Sequence, residues 1–194
     1  DVGEDMLDPS EIAPFFILLA VAGNDTTRTA ISHGMNLLAL NPDQRRAWQD
    51  DLDAVSPTAV EEIVRVASPV TYMRRTATRD ISLSGQDFVE GDKLVMLYGS
   101  ANRDERVFAD PERFDVRRDP NPHLGFGGPG PHFCLGAHLA RREVSVAFRQ
   151  LLTRLPDIEV DSPPVPLQGM GMPLVGGIKS LPVSFTPSDP LGSH

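Results

Sequence analysis

Hydrophobic and polar positions along the chain predict that its first third is helical. Residues 8–11 read Asp-Pro-Ser-Glu and supply an N-cap, a first-turn proline and a capping-box acid, so a helix begins there. We expect Pro14 to kink or restart this stretch, after which it continues as helix to about Leu40. Because residues 15–22 are apolar on every side, this long helix is predicted to cross the middle of a core.

Two shorter helices are predicted to follow. Residues 41–44 read Asn-Pro-Asp-Gln, repeat the pattern of cap, proline and acid, and start a helix that reaches Asp51. Residues 56–58, Ser-Pro-Thr, start a third helix, which ends before the Ser-Pro pair at 68–69.

The pattern then changes to short apolar runs that are typical of strands. These runs cover residues 70–78, 81–83, 86–89 and 94–98. Turns are predicted at Gly85 and at residues 90–92, and residues 99–108 are expected to hold one short helix.

The last part of the chain combines one helix with irregular segments. Residues 110–130 are rich in Pro, Arg, Asp and Gly, and such long irregular stretches inside a domain are usually functional or disordered. Residues 135–155 are predicted to form a helix whose apolar positions are Leu135, Leu139, Val144, Phe148, Leu151 and Leu152. The tail suggests loops and small hairpins. The predicted fold class is therefore mainly α with small β-sheets, an α+β arrangement.

Composition narrows the functional classes. A chain of 194 residues buries one good core, and its 18 Lys and Arg against 27 Asp and Glu argue against nucleic acid or an anionic membrane as a partner. The longest apolar run, residues 15–22, is too short to span a bilayer. No secretory leader opens the sequence and its single cysteine forms no internal disulfide, so we expect a reducing, cytoplasmic location.

The single cysteine, Cys134, lies where a run of glycines and prolines gives way to helix, in the stretch LGFGGPGPHFCLGAHLARRE. A lone cysteine is most simply a small buried hydrophobe. A helix N-terminus, however, favours a thiolate, and Gly127, Gly128 and Gly130 allow the backbone to approach a flat partner closely. This combination suits an axial metal ligand.

Two other chemistries remain open for this stretch at this point. A nucleophilic cysteine would need an activating histidine, and His132 and His138 are near in sequence. A glycine-rich loop before a helix also suits phosphate, but the Lys-Ser/Thr ending of a P-loop is missing and no strand clearly leads into it.

Four motifs in order resemble those of the cytochrome P450 superfamily. FGGPGPHFCLG is similar to its haem-binding loop and AGNDTT, residues 22–27, to the oxygen-binding groove of its long central helix. EEIVR matches the ExxR motif through Glu62 and Arg65, and DPERFD carries Arg113. The resemblance covers essentially the whole chain. It implies that residues 1–194 are the C-terminal part of one cytochrome P450 domain, from the central helix to the C-terminal hairpins, without the N-terminal half.

The resemblance implies a role for each motif residue. Cys134 would be the proximal ligand of haem b iron. Ala22 and Gly23 would be cofactor-binding, with Gly23 leaving space for dioxygen, and Asp25 and Thr26 would be catalytic residues that deliver protons. The simpler alternatives are a Thr26 hydroxyl bonded back to a carbonyl four residues earlier and a solvated Asp25, the latter disfavoured by its place after the apolar run.

Other residues are expected around the haem or behind its loop. Those expected against the haem are Arg74, Arg75, His132, Phe126, Gly127 and Gly136. His132 and one of the two arginines, with Arg75 favoured, would pair with the propionates. Phe126 lies eight residues before the cysteine, one more than in the usual family pattern. Glu62, Arg65 and Arg113 would form a buried structural network, although the simplest alternative for the first two is a surface ion pair.

The remaining cations have weaker assignments. Arg141 and Arg142 are most simply solvent-exposed, with a docking patch for an acidic ferredoxin as the alternative. His33, His123 and His138 are treated as structural, without named partners.

The implied function is a haem-thiolate monooxygenase that inserts one oxygen atom from O2 into a small apolar substrate. A ferredoxin and an NAD(P)H-dependent ferredoxin reductase would supply the electrons. Several stretches are similar to bacterial members that hydroxylate methyl-branched lipids, sterol side chains or terpenoid alcohols such as linalool. The alternative is a non-catalytic haem-binding fragment of such an enzyme, whose long apolar helix would lack a cover.

Overall fold

Helix α1 (Pro9–Leu40) is the longest element of the computed structural model, which describes residues 7–167 and 173–187. The predicted capping box is confirmed, because Asp8 accepts from the Ser10 N–H at 2.8 Å and Glu11 accepts from the Asp8 N–H at 2.9 Å. The predicted restart at Pro14 is wrong, since α1 is continuous through it. Pro14 removes only the bond to the carbonyl of Ser10, an exposed residue whose carbonyl water can satisfy.

The apolar stretch of α1 does not cross a core, which corrects the prediction for residues 15–22. Its side chains are exposed, Phe16 to 70%. Burial in α1 begins only at Thr29, where the helix starts to pack on its neighbours. No helix within the described residues is long and apolar enough to cross a membrane.

Four further helices follow in the described chain. They are α2 (Pro42–Asp50), α3 (Leu52–Ala67), α4 (Tyr98–Ala101) and α5 (Ala137–Arg154). The C-terminal half of α1 packs against α3 and α5, with the Trp48 and Phe148 rings 5.0 Å apart at the centre. Gly34 makes the close approach possible, because a Cβ there would lie 2.6 Å from the Phe148 ring and 2.7 Å from Ile63.

One predicted helix start and one predicted side-chain cap differ from the structure. Helix α3 begins at Leu52 and not at Ser56, because Asp51 is the N-cap and accepts from the Ala54 N–H at 3.0 Å. Ser56 is buried and accepts from the indole N–H of Trp48 at 2.9 Å. At the start of α2, the Asn41 amide donates to the Leu37 carbonyl at 2.8 Å and does not cap the helix.

The strands pair into small antiparallel sheets, as predicted. In chain order they are β1 (Tyr72–Thr76), β2 (Ile81–Leu83), β3 (Gln86–Phe88), β4 (Lys93–Leu97), β5 (Glu159–Val160), β6 (Val165–Pro166), β7 (Ile178–Ser180) and β8 (Val183–Ser184). The pairs are β1 with β4, β2 with β3, β5 with β8 and β6 with β7. Ser84 and Gly85 join β2 to β3 with φ values of 51° and 79°, as a two-residue hairpin requires.

The stretch between α4 and α5 contains no helix or strand, as its composition predicts. It is nevertheless anchored, because Phe108, Phe114 and Val116 are buried. This irregular segment crosses the end of α3 and delivers the cysteine loop to the start of α5.

Candidate active site

The loop before α5 presents Cys134 at the protein surface. Gly127 and Gly130 adopt φ values of +86° and +133°, which L side chains rarely take. The Cys134 N–H donates to the Phe126 carbonyl at 2.9 Å, and the Cys134 carbonyl accepts from the Ala137 N–H at 3.2 Å. The thiol is free and exposed at the beginning of α5, where the helix dipole favours an anion. Cys134 is therefore not a buried hydrophobe.

The surroundings of the thiol favour a ligand over a nucleophile. Neither His132 nor His138 makes a hydrogen bond with Cys134 among the described residues, so a histidine-activated thiol has no geometric support. The described chain also contains no group of three or more His, Cys, Asp or Glu side chains that would hold a bare metal ion. A lone thiolate suits a metal that arrives with its own equatorial ligands.

The open side of the loop is apolar and free of side-chain obstruction. A Cβ on Gly128, Gly130 or Gly136 would meet nothing within 4 Å. Leu135 is 73% exposed, and Phe133 and Leu139 are exposed beside it. Leu135 and Leu139 thus leave the predicted core stripe, because Leu135 lies before α5 begins at Ala137 and Leu139 borders an open cleft. An exposed apolar rim around a thiol fits a large, flat, apolar ligand.

A cleft of about 460 Å³ separates α1 from α5 near this rim. Gly23 and Thr27 of α1 line one side, and Leu139 and Glu143 of α5 line the other. A Cβ on Gly23 would meet nothing within 4 Å. The fold therefore brings the glycine of the AGNDTT motif to the same cleft as the helix that follows Cys134.

The acid and alcohol of α1 adopt their simpler arrangements. The Thr26 hydroxyl donates to the Ala22 carbonyl at 2.8 Å, the bond that a helical threonine commonly makes. Asp25 is 57% exposed and pairs with Arg28 at 2.8 Å. Its solvated position is contrary to the expectation drawn from the preceding apolar run.

The predicted propionate partners lie at exposed positions. Arg74 and Arg75 are adjacent on β1, and Arg75 donates to the Arg74 carbonyl at 3.1 Å. His132 is exposed on the cysteine loop. The described contacts do not bring these side chains to Cys134, and their pairing with a propionate stays a prediction.

Glu62 and Arg65 are not a surface pair but are both 0% exposed. Arg65 binds the Glu62 carboxylate with two N–H groups, at 2.7 and 2.8 Å. Its guanidinium also donates to backbone carbonyls, which belong to Asn102, Pro111 and Arg113. Burial of a charge with this many partners fixes the end of α3 to the irregular segment.

The second arginine of this network is Arg118, which corrects the prediction for Arg113. Arg118 Nε lies 3.2 Å from the Glu62 carboxylate, and its side chain is mostly buried. The Arg113 side chain is 61% exposed, and only its backbone carbonyl joins the network. The backbone turns between Arg113 and Arg118. The arginine of the DPERFD motif therefore contributes its backbone carbonyl to the network, and Arg118 contributes the side chain.

Sequence reasoning missed two amides that connect the network to the cysteine loop. Asn121 donates to Glu62 at 3.1 Å, while its buried oxygen has no partner among the described residues. Asn102 is fully buried, and its side-chain oxygen accepts from the Leu124 N–H at 2.7 Å. Leu124 opens the glycine-rich stretch. The path from Arg65 through Asn102 to Leu124 therefore ties the loop to α3, a link that no sequence spacing indicated.

A second cluster around Glu61 also holds the loop. Arg141 of α5 binds the Glu61 carboxylate with two N–H groups, at 2.5 and 2.8 Å, so the simple reading of Arg141 as a solvated cation is wrong. His123 Nε2 lies 2.9 Å from the same carboxylate, and His33, also assigned no partner, bonds the Gly176 carbonyl at 2.7 Å. Arg142, by contrast, is exposed as expected.

The Glu61 cluster shifts the ionisation of its acid. Burial alone would raise the pKa of Glu61, but hydrogen bonds from Arg141 and His123 outweigh it and lower the pKa from 4.5 to about 2. A carboxyl whose pKa falls on folding stabilises the fold above its unfolded value and loses that contribution as pH drops toward its folded value.

We therefore expect Glu61→Gln to remove part of the acid sensitivity of the fold. Wild type should lose stability between pH 4.5 and about 2 more steeply than the variant, because only wild type must protonate a paired Glu61 in this range. Urea unfolding midpoints measured across this range test the difference. Glu143→Gln, which alters an exposed carboxylate on α5, is the control. Parallel profiles for wild type and Glu61→Gln would contradict the prediction.

Comparisons with known proteins agree with this arrangement. The family model described as Cytochrome P450 matches residues 2–173. A methyl-branched lipid omega-hydroxylase of Mycobacterium tuberculosis is 55% identical over 96% of this chain and 43% of its own length. A steroid C26-monooxygenase of Rhodococcus jostii is 46% identical over 95% of this chain and 38% of its own. A solved Mycobacterium marinum cytochrome P450 in complex with pseudoionone superposes with a TM-score of 0.86 at 50% identity, over 95% of this chain and 44% of that one. The chain thus spans less than half of the length of these relatives.

Proposed function

We propose, since this chain belongs to the cytochrome P450 family, that it forms part of a haem-thiolate monooxygenase that hydroxylates an apolar substrate. The observation that carries the proposal is the single exposed Cys134, presented by a glycine-rich loop at the start of a helix. Its apolar, unobstructed surroundings fit a porphyrin, and haem b is the group we infer. Residues 1–194 would be the C-terminal part of one larger domain.

Cys134, the glycines of its loop and three cationic side chains are the residues that we infer would hold the haem. The thiolate would ligate the iron, while the open faces of Gly128 and Gly136 would let the backbone lie against the ring. Gly127, with a φ of +86°, would provide the turn that brings this backbone to the ring. His132 and Arg75, with Arg74 as the alternative, would pair with the propionates. When bound, haem supplies the activation of dioxygen.

Residues of α1 would leave room for dioxygen and deliver the protons that the reaction needs. Gly23, which carries no side chain into the cleft, and Ala22 would leave room for dioxygen. Asp25, being exposed, would exchange protons with water, and Thr26 Oγ1 would pass one on after releasing the Ala22 carbonyl. Thr26 Oγ1 donates to that carbonyl oxygen at 2.8 Å, so transfer of its proton requires a change of the Thr26 rotamer or of its hydroxyl direction.

The substrate class follows the relatives named above. We infer a methyl-branched lipid, a sterol side chain or a terpenoid, because the similar proteins are named for such substrates or were solved with pseudoionone. A ferredoxin and its NAD(P)H-dependent reductase would deliver electrons. Arg142, exposed on α5, is a candidate contact for an acidic partner. A cytoplasmic location would suit this electron supply.

A second candidate is supported by the exposed apolar stretch of α1, residues 15–21. Such a surface is typical of a protein that lacks a covering partner. The chain alone would then bind haem without catalysing hydroxylation.

Incubation of the haem-loaded chain with a methyl-branched fatty acid or cholest-4-en-3-one tests the two candidates. Spinach ferredoxin, its reductase and NADPH would supply electrons, and mass spectrometry would follow ¹⁸O2 incorporation. We expect one ¹⁸O atom per product molecule if the chain is an active monooxygenase, because the second atom leaves as water. Thiolate-bound haem without ¹⁸O product would favour the non-catalytic candidate, and absence of haem binding would contradict both.

A further inference from the structure

A chain of contacts runs from Glu61 on α3 to the peptide group of Cys134. Glu61 holds the Arg141 guanidinium by the two hydrogen bonds described above. That guanidinium lies over the Phe126 ring, with its carbon 4.4 Å from the ring centroid. The backbone carbonyl of Phe126 accepts the Cys134 N–H at 2.9 Å. The cysteine therefore takes its position from a residue whose side chain Arg141 covers.

His123 is the second partner of Glu61 that lies beside Phe126. Its Nδ1 accepts from the Gly125 N–H at 3.0 Å, which leaves Nε2 to carry the proton and donate to Glu61 at 2.9 Å. The His123 and Phe126 ring centroids are 5.7 Å apart. The Phe126 ring thus contacts Arg141 and His123, which both bind the Glu61 carboxylate.

The close fit of the loop on α3 leaves this anchor little freedom to shift. A Cβ on Gly125 would lie 2.5 Å from Val64 Cγ1 and 3.2 Å from the Val64 carbonyl. Bidentate pairing between an arginine and a carboxylate also fixes direction as well as distance, because the guanidinium is a planar fork. Glu61 and Arg141 lie on different helices, so the fork joins α3 to α5 behind the loop.

The cation over Phe126 keeps its charge in this arrangement. The pKa of Arg141 is raised, chiefly by its hydrogen bonds with Glu61. The guanidinium that lies over the Phe126 ring is therefore held there as a cation.

We propose that Arg141 is a positioning residue for Cys134, because it holds Phe126, whose backbone carbonyl accepts the Cys134 N–H. The inference rests on the proposed function only where haem is concerned. The placement of the loop is a property of the chain itself.

Hydrogen exchange of the haem-free chain tests the placement directly. Arg141→Met should speed exchange of the Cys134 amide about tenfold. This is the change expected when local opening becomes easier by about the free energy of one hydrogen bond to a charged group. Glu61→Gln should have an effect in the same direction, because it removes the anchor and leaves the cation. Arg142→Met changes the adjacent exposed arginine and should leave the rate unchanged. Equal rates in wild type, Arg141→Met and Glu61→Gln would overturn the proposal.

The absorption spectrum of the haem-loaded, reduced, carbon-monoxide-bound chain gives a second readout. Arg141→Met should move part of the Soret intensity from the thiolate position to that of haem without a thiolate. Arg141→Lys, which retains charge but not the fork, should restore part of it. A spectrum identical to wild type in Arg141→Met would show that the thiolate keeps its placement without Arg141 and would overturn the proposal for the haem-bound chain.

The two readouts keep this proposal separate from the proposed function. If wild type binds no haem, only the proposed function fails, and amide exchange still decides whether Arg141 positions the loop. If circular dichroism shows that Arg141→Met does not fold, the comparison of Arg141→Lys and Glu61→Gln with wild type decides instead. Unchanged exchange in both would overturn the proposal.

Discussion

Replacing Arg65 by methionine is expected to destabilise the fold by about 3–5 kcal/mol, a large part of the roughly 5–15 kcal/mol that a typical domain has. The side chain is 0% exposed and holds Glu62, which is equally buried. Methionine would leave that carboxylate with only Arg118 and Asn121 as side-chain donors. It would also leave the carbonyls of Asn102, Pro111 and Arg113 without the guanidinium that now donates to them. Urea unfolding followed by circular dichroism measures the loss.

The matched control for this prediction is Arg28→Met on α1. Arg28 pairs with Asp25 at the same spacing of three residues and at a similar distance, 2.8 Å, but both side chains are largely exposed. An exposed pair contributes about 0–1 kcal/mol, so this variant should differ little from wild type. If the two variants unfolded at similar urea concentrations, burial of the Glu62–Arg65 pair would not increase its contribution to stability, contrary to the prediction.

Local spacing predicted the parts of the site that local geometry determines. Glu62 and Arg65 are three residues apart on a helix, and the structure pairs them as that spacing requires. The capping box at residues 8–11 and the turn at Gly85 depend on neighbouring residues only, and both were predicted correctly. The β2–β3 hairpin followed from the turn at Gly85, whereas the pairing of β1 with β4 and of β5 with β8 joins strands that no short turn connects.

Partners far apart in sequence were not predictable in the same way. The motif DPERFD indicated Arg113, yet the backbone between residues 113 and 118 brings the side chain of Arg118 to Glu62. Arg141 was assigned to solvent, because nothing in a helix sequence shows that its neighbour is a carboxylate 80 positions earlier. The burial of a helix also depends on what packs against it, so the exposed residues 15–21 could not be placed from their hydropathy.

The start of α3 shows why proline was misleading. Pro57 follows a serine and was read as a first-turn proline, but Asp51 caps the helix earlier and Ser56 serves as a buried acceptor for Trp48. Pro57 lies at the sixth position of α3, as Pro14 does in α1. Each removes a single bond to a carbonyl of an exposed residue in the first turn, where water can replace the missing N–H.

Replacing Cys134 by serine is expected to abolish thiolate ligation of haem while leaving the fold unchanged. The thiol is exposed, and the backbone bond from the Cys134 N–H to the Phe126 carbonyl does not depend on the side chain. Serine is nearly isosteric but offers an alcohol in place of a thiolate, which is the species that binds iron. The reduced, carbon-monoxide-bound wild type should show a strongly red-shifted Soret band, and the variant should show none.

Two further variants identify the ligand if the spectrum differs from this expectation. His132→Ala and His138→Ala remove the histidines nearest to the cysteine in sequence and should retain the red-shifted band, because neither contacts Cys134 among the described residues. A Soret band at the ordinary position in wild type that disappears in one of these variants would assign the iron to that histidine and contradict the haem-thiolate proposal. Equal circular dichroism spectra for Cys134→Ser and wild type would show that a lost band reports the missing ligand and not an unfolded chain.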